Sequence, residues 1–162
     1  MDNTISLQEI ARAQSQGKKV VFTNGCFDIL HIGHVEYLNE AKKLGDLLVI
    51  GLNSDSSIKK LKGEKRPIVP EDERRKLLLN LKCCDYVLLF SEETPIELIK
   101  KVCPDILVKG GDWPIEKIVG SQFVNERGGK TLSLPFIEGH STTNIIEKII
   151  SIYTKADLNF LK

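Results

Sequence analysis

The sequence predicts an α/β fold in which a five-stranded parallel sheet is covered by helices on both faces. Five short apolar runs, rich in Val, Ile and Leu, have the continuous pattern of buried strands. Segments with helical spacing separate them, and this alternation of strands and helices is typical of a parallel sheet. Because crossovers between parallel strands are right-handed, a doubly wound, Rossmann-like sheet is the leading architecture.

The predicted elements follow one another in a regular order. The strands cover residues 18–23, 46–52, 85–90, 105–108 and 130–134. The helices cover residues 6–16, 34–44, 71–82, 95–102, 116–127 and 142–153. In the second of these helices, Val35, Leu38 and Ala41 have the spacing of one helical face. Residues 53–70, rich in Lys, Ser, Gly and Pro, are interpreted as a loop.

Length, charge and cysteine usage limit the classes of protein to which the chain can belong. We expect one domain over residues 1–162, with a core at about 18–150 and extensions at both ends. The formal net charge of +1 gives no global field that would recruit nucleic acid or an anionic membrane. The four cysteines show no C-x-x-C spacing, and the sequence shows no signal peptide or membrane span. These features predict a cytoplasmic protein with reduced thiols and no nucleic-acid or membrane partner.

The segment from Asn24 to His34 follows the first predicted strand and runs into a helix. It lacks the G-x-G-x-x-G fingerprint and carries H-x-G-H instead, at His31 and His34. Two imidazoles at a helix start, beside unpaired amides and the positive end of the helix dipole, suit a polyphosphate. Gly33 lets a ligand approach the backbone closely. A polar surface loop and a metal site are the alternatives, but only His140 and scattered cysteines remain as further ligands, so we predict no metal-binding residues.

A basic cluster lies beyond the second predicted strand, at Lys62, Lys65 and Arg66. Ligands of an open parallel sheet collect at the carboxyl ends of its strands, so this cluster suits a phosphorylated acceptor. Arginine is favoured for this contact because its planar fork binds phosphate in a bidentate manner. A solvated surface run is the alternative reading.

Two further segments follow later strands. Lys109, Gly110 and Asp112 lie in a Gly-Gly-Asp turn that allows a ligand to approach, although a plain tight turn uses the same residues. Ser141 and the two threonines after it open the last predicted helix, where they either form an ordinary N-cap or bind phosphate.

The stretch GCFDILHIGH, followed by YLNEAKKLGDLLVIGLNSD, resembles the H-x-G-H nucleotidyltransferase superfamily. That superfamily has a Rossmann-like fold and includes cytidylyltransferases and adenylyltransferases, and the resemblance covers about residues 18–150. It implies that His31 and His34 contact a triphosphate and stabilise the transition state. The implied nucleotide-binding residues are Asn24, Gly25, Cys26, Phe27, Gly33, His34, Ser141, Thr142 and Thr143.

The stretches LKGEKRPI, DILVKGGDW and LPFIEGHSTTNIIEKI are similar to one branch, the D-glycero-β-D-manno-heptose 1-phosphate adenylyltransferases. This resemblance implies transfer of AMP from ATP to the sugar phosphate, with Mg²⁺ bridging phosphates, to give ADP-heptose for lipopolysaccharide core synthesis. The catalytic residues would be His31, His34 and Lys109. The substrate-binding residues would be Asp28, Lys62, Arg66, Gly110 and Asp112. In many bacteria this activity is fused behind a sugar kinase, whereas the sequence resembles the stand-alone form, which implies a separate sugar kinase and phosphatase in the same pathway. Superfamily relatives are often dimers, so we expect a homodimer or higher homo-oligomer.

Three other functions compete with this interpretation. Cytidylyltransferases of the group typically carry Arg-Thr where this chain has Ile137–Glu138, which counts against an enzyme for glycerol 3-phosphate or ethanolamine phosphate and leaves the triphosphate one cation short. A non-catalytic nucleotide-binding module is disfavoured by the intact H-x-G-H. A flavodoxin-like carrier is disfavoured because no phosphate loop follows the first strand.

Overall fold

The computed structural model describes residues 3–135 and 139–153. Within these ranges the strands are β1 (Val20–Gly25), β2 (Leu47–Asn53), β3 (Tyr86–Phe90), β4 (Ile106–Gly110) and β5 (Lys130–Leu134). The α-helices are α1 (Thr4–Ser15), α2 (Ile32–Lys42), α3 (Asp55–Lys62), α4 (Glu71–Leu79), α5 (Ile96–Val102), α6 (Ser121–Glu126) and α7 (Thr142–Ile152). None of the helices in the described ranges is long and apolar enough to cross a membrane.

The five strands form one parallel sheet in the order β3-β2-β1-β4-β5. The chain proceeds from β1 outward to β3, then crosses back to β4 and continues to β5, which is the doubly wound arrangement. This order confirms the predicted Rossmann-like fold. The winding direction changes between β1 and β4, so a crevice is expected beyond their carboxyl ends, near Gly25 and Gly110.

Each face of the sheet has its own apolar core. On one face, Val21 of β1 belongs to a cluster with Leu38 of α2 and Leu78 of α4. On the other face, Phe22 belongs to a cluster with Ile99 of α5. Neighbouring residues of β1 point to opposite faces of the sheet, and each face is covered by an apolar core. Residues on both faces must therefore be apolar, which explains the continuous Val-Val-Phe run of this strand.

The prediction of a loop over residues 53–70 is wrong in its first half, where α3 forms. Ser54 caps this helix, since its Oγ accepts a hydrogen bond from the amide of Ser57 at 3.2 Å. Asp55 lies in the first turn and three lysines lie in the last, so the charges complement the helix dipole. Gly63, with φ of +90°, ends the helix. The Ser- and Lys-rich composition that suggested a loop is therefore that of a short, well-capped surface helix.

The helix predicted over residues 116–127 is divided in two. A single 3₁₀ turn covers Ile115–Lys117, and α6 begins only at Ser121. Gly120 separates them with φ of +90°, a conformation that favours glycine. The break lets Ile118 and Val124 both join the core on that face of the sheet.

Arg74 of α4 carries a buried guanidinium, with 1% of the residue exposed. Its Nε donates to the carbonyl of Val69 at 2.9 Å, and its Nη1 donates to the carbonyls of Cys26 and Asn53 at 2.6 and 2.9 Å. Its Nη2 pairs with Oδ1 of Asp55 at 2.7 Å. One side chain therefore joins the ends of β1 and β2 to the start of α3 and to the segment before α4.

We expect Arg74→Met to destabilise the fold by about 3–5 kcal/mol, because it leaves buried carbonyls without donors and Asp55 without its partner. The free energy of unfolding, measured in urea, tests this. The matched control is Lys76→Met, which removes an exposed cation from the same helix and should change stability by less than about 0.5 kcal/mol. Equal stabilities for the two variants would contradict a structural role for the Arg74 network.

Candidate active site

A cleft of about 530 Å³ opens at the carboxyl ends of three neighbouring strands. Asn24 and Gly25 of β1, Asn53 of β2 and Lys109 of β4 line it. Its walls come from the start of α2, the end of α3 and the start of α7. The cleft therefore lies at the switch point of the doubly wound sheet, where this fold binds ligands.

The structure brings most of the sequence-predicted site residues together in this cleft. The end of β1 and the loop after it contribute Asn24, Gly25, Cys26, Phe27 and Asp28. The start of α2 contributes His31, Gly33 and His34. More distant segments contribute Lys62, Arg66, Lys109, Ser141, Thr142 and Thr143. Their proximity fits a shared site, while their individual roles remain predictions.

Three residues of the predicted segments do not line the cleft. Gly110 is buried at the end of β4, and Asp112 is exposed beyond it. The chain turns away there, because the amide of Gly111 donates to the carbonyl of Leu134 at 2.8 Å and so follows β5. Lys65 is exposed outside the cleft as well. The Ile137–Glu138 pair lies outside the described residues.

His31 and His34 form a stacked pair at the base of the cleft. Their ring centroids are 3.8 Å apart at an interplanar angle of 21°, and Phe27 packs its ring against His34 at 5.2 Å. Nδ1 of both histidines is buried and has no hydrogen-bond partner among the described residues. Buried polar atoms are nearly always paired, so these two nitrogens indicate a place for a polar ligand.

Burial keeps both imidazoles neutral in the free protein. Desolvation is the main cause that lowers the pKa of His34 to about 4; the nearby His31 acts in the same direction and Asp28 opposes it. The pKa of His31 is also lowered, by burial first and by the neighbouring His140 second. At neutral pH the pair therefore presents N–H donors and not full charges, until an anion favours protonation.

Gly33 leaves little room for a side chain beside the histidines. A methyl group at this position would lie 3.1 Å from Nδ1 of His31 and 3.2 Å from Cβ of His140. Both distances are tighter than ordinary van der Waals contact. The ring of His31 and the Cβ of His140 therefore border the space above Gly33, and Gly33 also lines the cleft, so close approach of a ligand to its backbone stays a prediction.

Asp28 holds the segment that carries Arg66. Its buried carboxylate accepts from Nε of Arg66 at 2.5 Å and from the amides of Ile68 and Val69 at 2.9 Å. Burial alone would raise the pKa of Asp28, but the two amides and the guanidinium outweigh it and lower the pKa. The geometry therefore favours a positioning role for Asp28 over direct ligand binding, and the side chain of Arg66 lines the cleft.

Positive side chains surround the mouth of the cleft near Cys26. Lys62, Arg66 and Lys109 all lie close enough to lower the pKa of the Cys26 thiol, although burial raises it overall. Burial also lowers the pKa of Lys109, and the charge of Lys62 adds to this effect. Three cations facing one half-buried space favour an anionic ligand.

The first residues of α7 have a structural role and also line the cleft. Oγ of Ser141 accepts from the amide of Asn144 at 3.0 Å and so caps the helix. Oγ1 of Thr142 donates to the carbonyl of Asp28 at 2.6 Å, which ties α7 to the loop after β1. The N-cap alternative is thus correct for Ser141, and its hydroxyl proton remains available to a ligand.

The sequence interpretation did not assign a role in this cleft to several residues that line it: Tyr37, Asn53, Leu61, Glu93, Pro95 and His140. Asn53 ends β2 and Glu93 follows β3. Because ligands of this fold bind at the carboxyl ends of the strands, the sequence positions of both residues are consistent with a place in the cleft. Tyr37 is placed by the pairing of its hydroxyl with Oγ1 of Thr23 at 2.6 Å, which no sequence pattern reveals. For His140, the sequence suggested only the alternative of a metal ligand.

Among residues 3–135 and 139–153, no group of three or more His, Cys, Asp and Glu side chains could hold a metal ion. The cleft carboxylates are Asp28 and Glu93, and Asp28 is already occupied by its own donors. The described residues therefore do not form a metal site of their own.

A family model described as cytidylyltransferase-like matches residues 22–148, which is most of the chain. The chain belongs to the cytidylyltransferase-like family. This membership confirms the resemblance to nucleotidyltransferases that the H-x-G-H segment suggested.

Individual relatives agree with this assignment. The bifunctional protein HldE of Citrifermentans bemidjiense is 58% identical over 144 residues, which are 89% of this chain and 30% of that protein. HldE of Geobacter sulfurreducens is 55% identical over 144 residues, again 89% of this chain and 29% of that protein. The chain thus spans about a third of the length of the curated relatives it matches. The crystal structure of the lipopolysaccharide core biosynthesis protein from Thermoplasma volcanium has a TM-score of 0.61 and 33% identity, covering 76% of this chain and 100% of that one.

The low pKa of His34 predicts a specific loss of stability in acid. An unfolded histidine titrates near pH 6.5, whereas folded His34 titrates near 4, so the unfolded chain binds this proton first as the pH falls. Its contribution to stability is complete at pH 7 and is lost between about pH 6.5 and 4. When the pH is lowered from 7 to 5, the free energy of unfolding of His34→Gln should therefore decrease by about 1–2 kcal/mol less than that of the wild type. Parallel pH profiles in urea titrations would contradict a buried neutral imidazole.

Proposed function

We propose that the chain transfers AMP from ATP to a sugar 1-phosphate, D-glycero-β-D-manno-heptose 1-phosphate, forming ADP-heptose and pyrophosphate. The observation that carries this proposal is the stacked His31–His34 pair, whose buried Nδ1 atoms have no partner among the described residues, in a cleft that also contains three cations. Family membership, the identity to HldE proteins and the similarity to a lipopolysaccharide core biosynthesis protein support it.

The proposed reaction is a direct displacement at the α-phosphorus of ATP. An oxygen of the sugar phosphate forms a bond to this phosphorus, and the bond to the oxygen that bridges to the β-phosphate breaks. Pyrophosphate leaves with the electron pair. Because a phosphate monoester is already anionic, the step requires neither a general base nor a covalent intermediate, and catalysis consists of positioning and charge stabilisation.

The residues of the cleft suit that task. His31 and His34 would donate N–H hydrogen bonds to phosphate oxygens on which charge develops. Lys109 would add a positive charge from the end of β4, and an anion beside it opposes the lowering of its pKa by burial. Ser141 and the free amides at the start of α7 would bind the far end of the triphosphate.

Arg66 is the proposed clamp for the acceptor phosphate. Asp28 holds its Nε, so the two terminal nitrogens of the guanidinium remain for a ligand in the cleft. This arrangement limits the freedom of a long side chain before the ligand binds, which lowers the entropic cost of forming a bidentate contact. Lys62 would add a second, less directional charge.

Magnesium would enter with the nucleotide, as part of the MgATP substrate. The described residues provide no cluster of ligands for it, so the phosphates themselves would hold the ion. Its contribution would be to neutralise phosphate charge.

We also propose the cellular setting that the resemblance implies. The enzyme would act in the cytoplasm, where sugar kinase and phosphatase activities would provide its substrate. A homodimer or higher homo-oligomer is supported by Ile149, Ile150 and Ile152 of α7, whose exposed apolar side chains are typical of a contact surface.

A pyrophosphate-release assay tests the proposed activity. The chain should release pyrophosphate from ATP only when heptose 1-phosphate is present, and kcat/KM should be clearly higher for ATP than for CTP. His34→Ala should lower kcat by about 10²–10³ with a smaller change in the KM of ATP, since its hydrogen bond strengthens in the transition state. Equal kcat/KM for both nucleotides would contradict the preference for ATP, and a higher value for CTP would favour a cytidylyltransferase. Binding of ATP without turnover would favour a binding module.

Arg66→Ala should raise the KM of the sugar phosphate about 10- to 150-fold and leave the KM of ATP near its original value, because a charge-assisted contact of roughly 1.5–3 kcal/mol is lost. Lys62→Ala should act in the same direction but more weakly. Lys65→Ala is the matched control, since Lys65 is an exposed neighbour outside the cleft. A rise confined to the KM of ATP would assign this segment to the nucleotide.

A further inference from the structure

His140 is a third imidazole in the cleft, contributed by a different element from the H-x-G-H pair. It directly precedes Ser141, the N-cap of α7, and lines the cleft together with His31 and His34. Its side chain is exposed, and none of the hydrogen bonds among the described residues involves its ring. It is therefore available to a ligand.

The fold fixes His140 beside His31. Its Cβ lies 3.2 Å from the point where a side chain at Gly33 would begin, and Nδ1 of His31 lies 3.1 Å from the same point. The absence of a side chain at Gly33 thus allows α7 and α2 to bring the two histidines together. Thr142 maintains this approach, since its hydroxyl donates to the carbonyl of Asp28 at 2.6 Å.

We propose that His140 is a further phosphate-binding residue of this site, which contacts the diphosphate end of the nucleotide together with His31 and the start of α7. The inference rests on the proposed function, because it requires a polyphosphate in the cleft. The free amides at the start of α7 favour an anion, and an imidazole next to them gains a proton more readily when that anion is bound. The electrostatic effect of His140 on the pKa of His31 is consistent with their proximity.

The sign of the pH effect follows from this arrangement. The other titratable or charged side chains that line the cleft are Cys26, Asp28, His31, His34, Tyr37, Lys62, Arg66, Glu93 and Lys109. Asp28 is committed to Arg66, so it does not neutralise a protonated His140. Diphosphate should therefore bind with proton uptake by the imidazoles of the cleft, and the difference in uptake between wild type and variant isolates the share of His140 from the protonation of the ligand itself.

The test is calorimetric titration of the full chain with inorganic pyrophosphate, in two buffers of different ionisation enthalpy. His140→Gln should bind pyrophosphate about tenfold more weakly than the wild type at pH 6.5 and take up fewer protons. His140→Lys should restore much of the affinity while removing this residue's share of the proton uptake. Lys148→Gln, which removes an exposed cation from the same helix outside the cleft, should bind like the wild type.

Unchanged affinity and proton uptake in His140→Gln, with a wild type that releases pyrophosphate in the activity assay, would overturn this inference alone. A wild type that neither binds pyrophosphate nor turns over ATP with the sugar phosphate would overturn the proposed function, and this inference with it. Equal weakening in Lys148→Gln would show a general charge effect and would also contradict a specific contact.

Discussion

The buried guanidinium of Arg74 is the interaction on which the architecture of the cleft depends. A charge in the core is tolerated only when its hydrogen bonds are satisfied, and Arg74 satisfies them with carbonyls that end β1 and β2 and with Asp55. Arg74 needs these acceptors, and the acceptors in turn need Arg74. Cys26 directly follows β1 and Asn53 is the last residue of β2, so both carbonyls lie where these strands end, and without Arg74 they would lose their buried donor.

A second set of hydrogen bonds, made by Asp28, connects the end of β1 to other segments that line the cleft. Asp28 follows Cys26 by two residues, and its carboxylate holds Arg66 and the amides before α4, while its carbonyl accepts from Thr142 of α7. The loop after β1 is thereby fixed to both walls of the cleft. Side chains that are held in this way lose little freedom when a ligand arrives, which is how a rigid scaffold gains affinity without additional contacts.

The sequence predicts the fold and the histidine pair well because both depend on local patterns. Apolar runs alternating with helices determine the sheet, and H-x-G-H at a strand end marks the cleft. Arg74 could not be found in this way, since it stands in the charged run EDERRK, which has the composition of a solvated helix face. The hydrogen bonds of Asp28 could not be predicted either, because its donors come from residues about 40 positions away. Long-range partners of this kind leave no periodic signal.

The electrostatics of the cleft show why a buried histidine pair suits an anionic ligand. Burial disfavours charge on His34 and lowers its pKa to about 4, so the free protein avoids an unpaired buried cation. An arriving phosphate reverses that balance, because an opposite charge within a few ångströms stabilises the protonated ring more strongly where the dielectric is low. The same desolvation that keeps the free imidazoles neutral therefore strengthens their hydrogen bonds to a bound anion. Stacking at 3.8 Å disfavours charge on both rings at once in the free protein, so positive charge would develop on the pair only beside a bound anion.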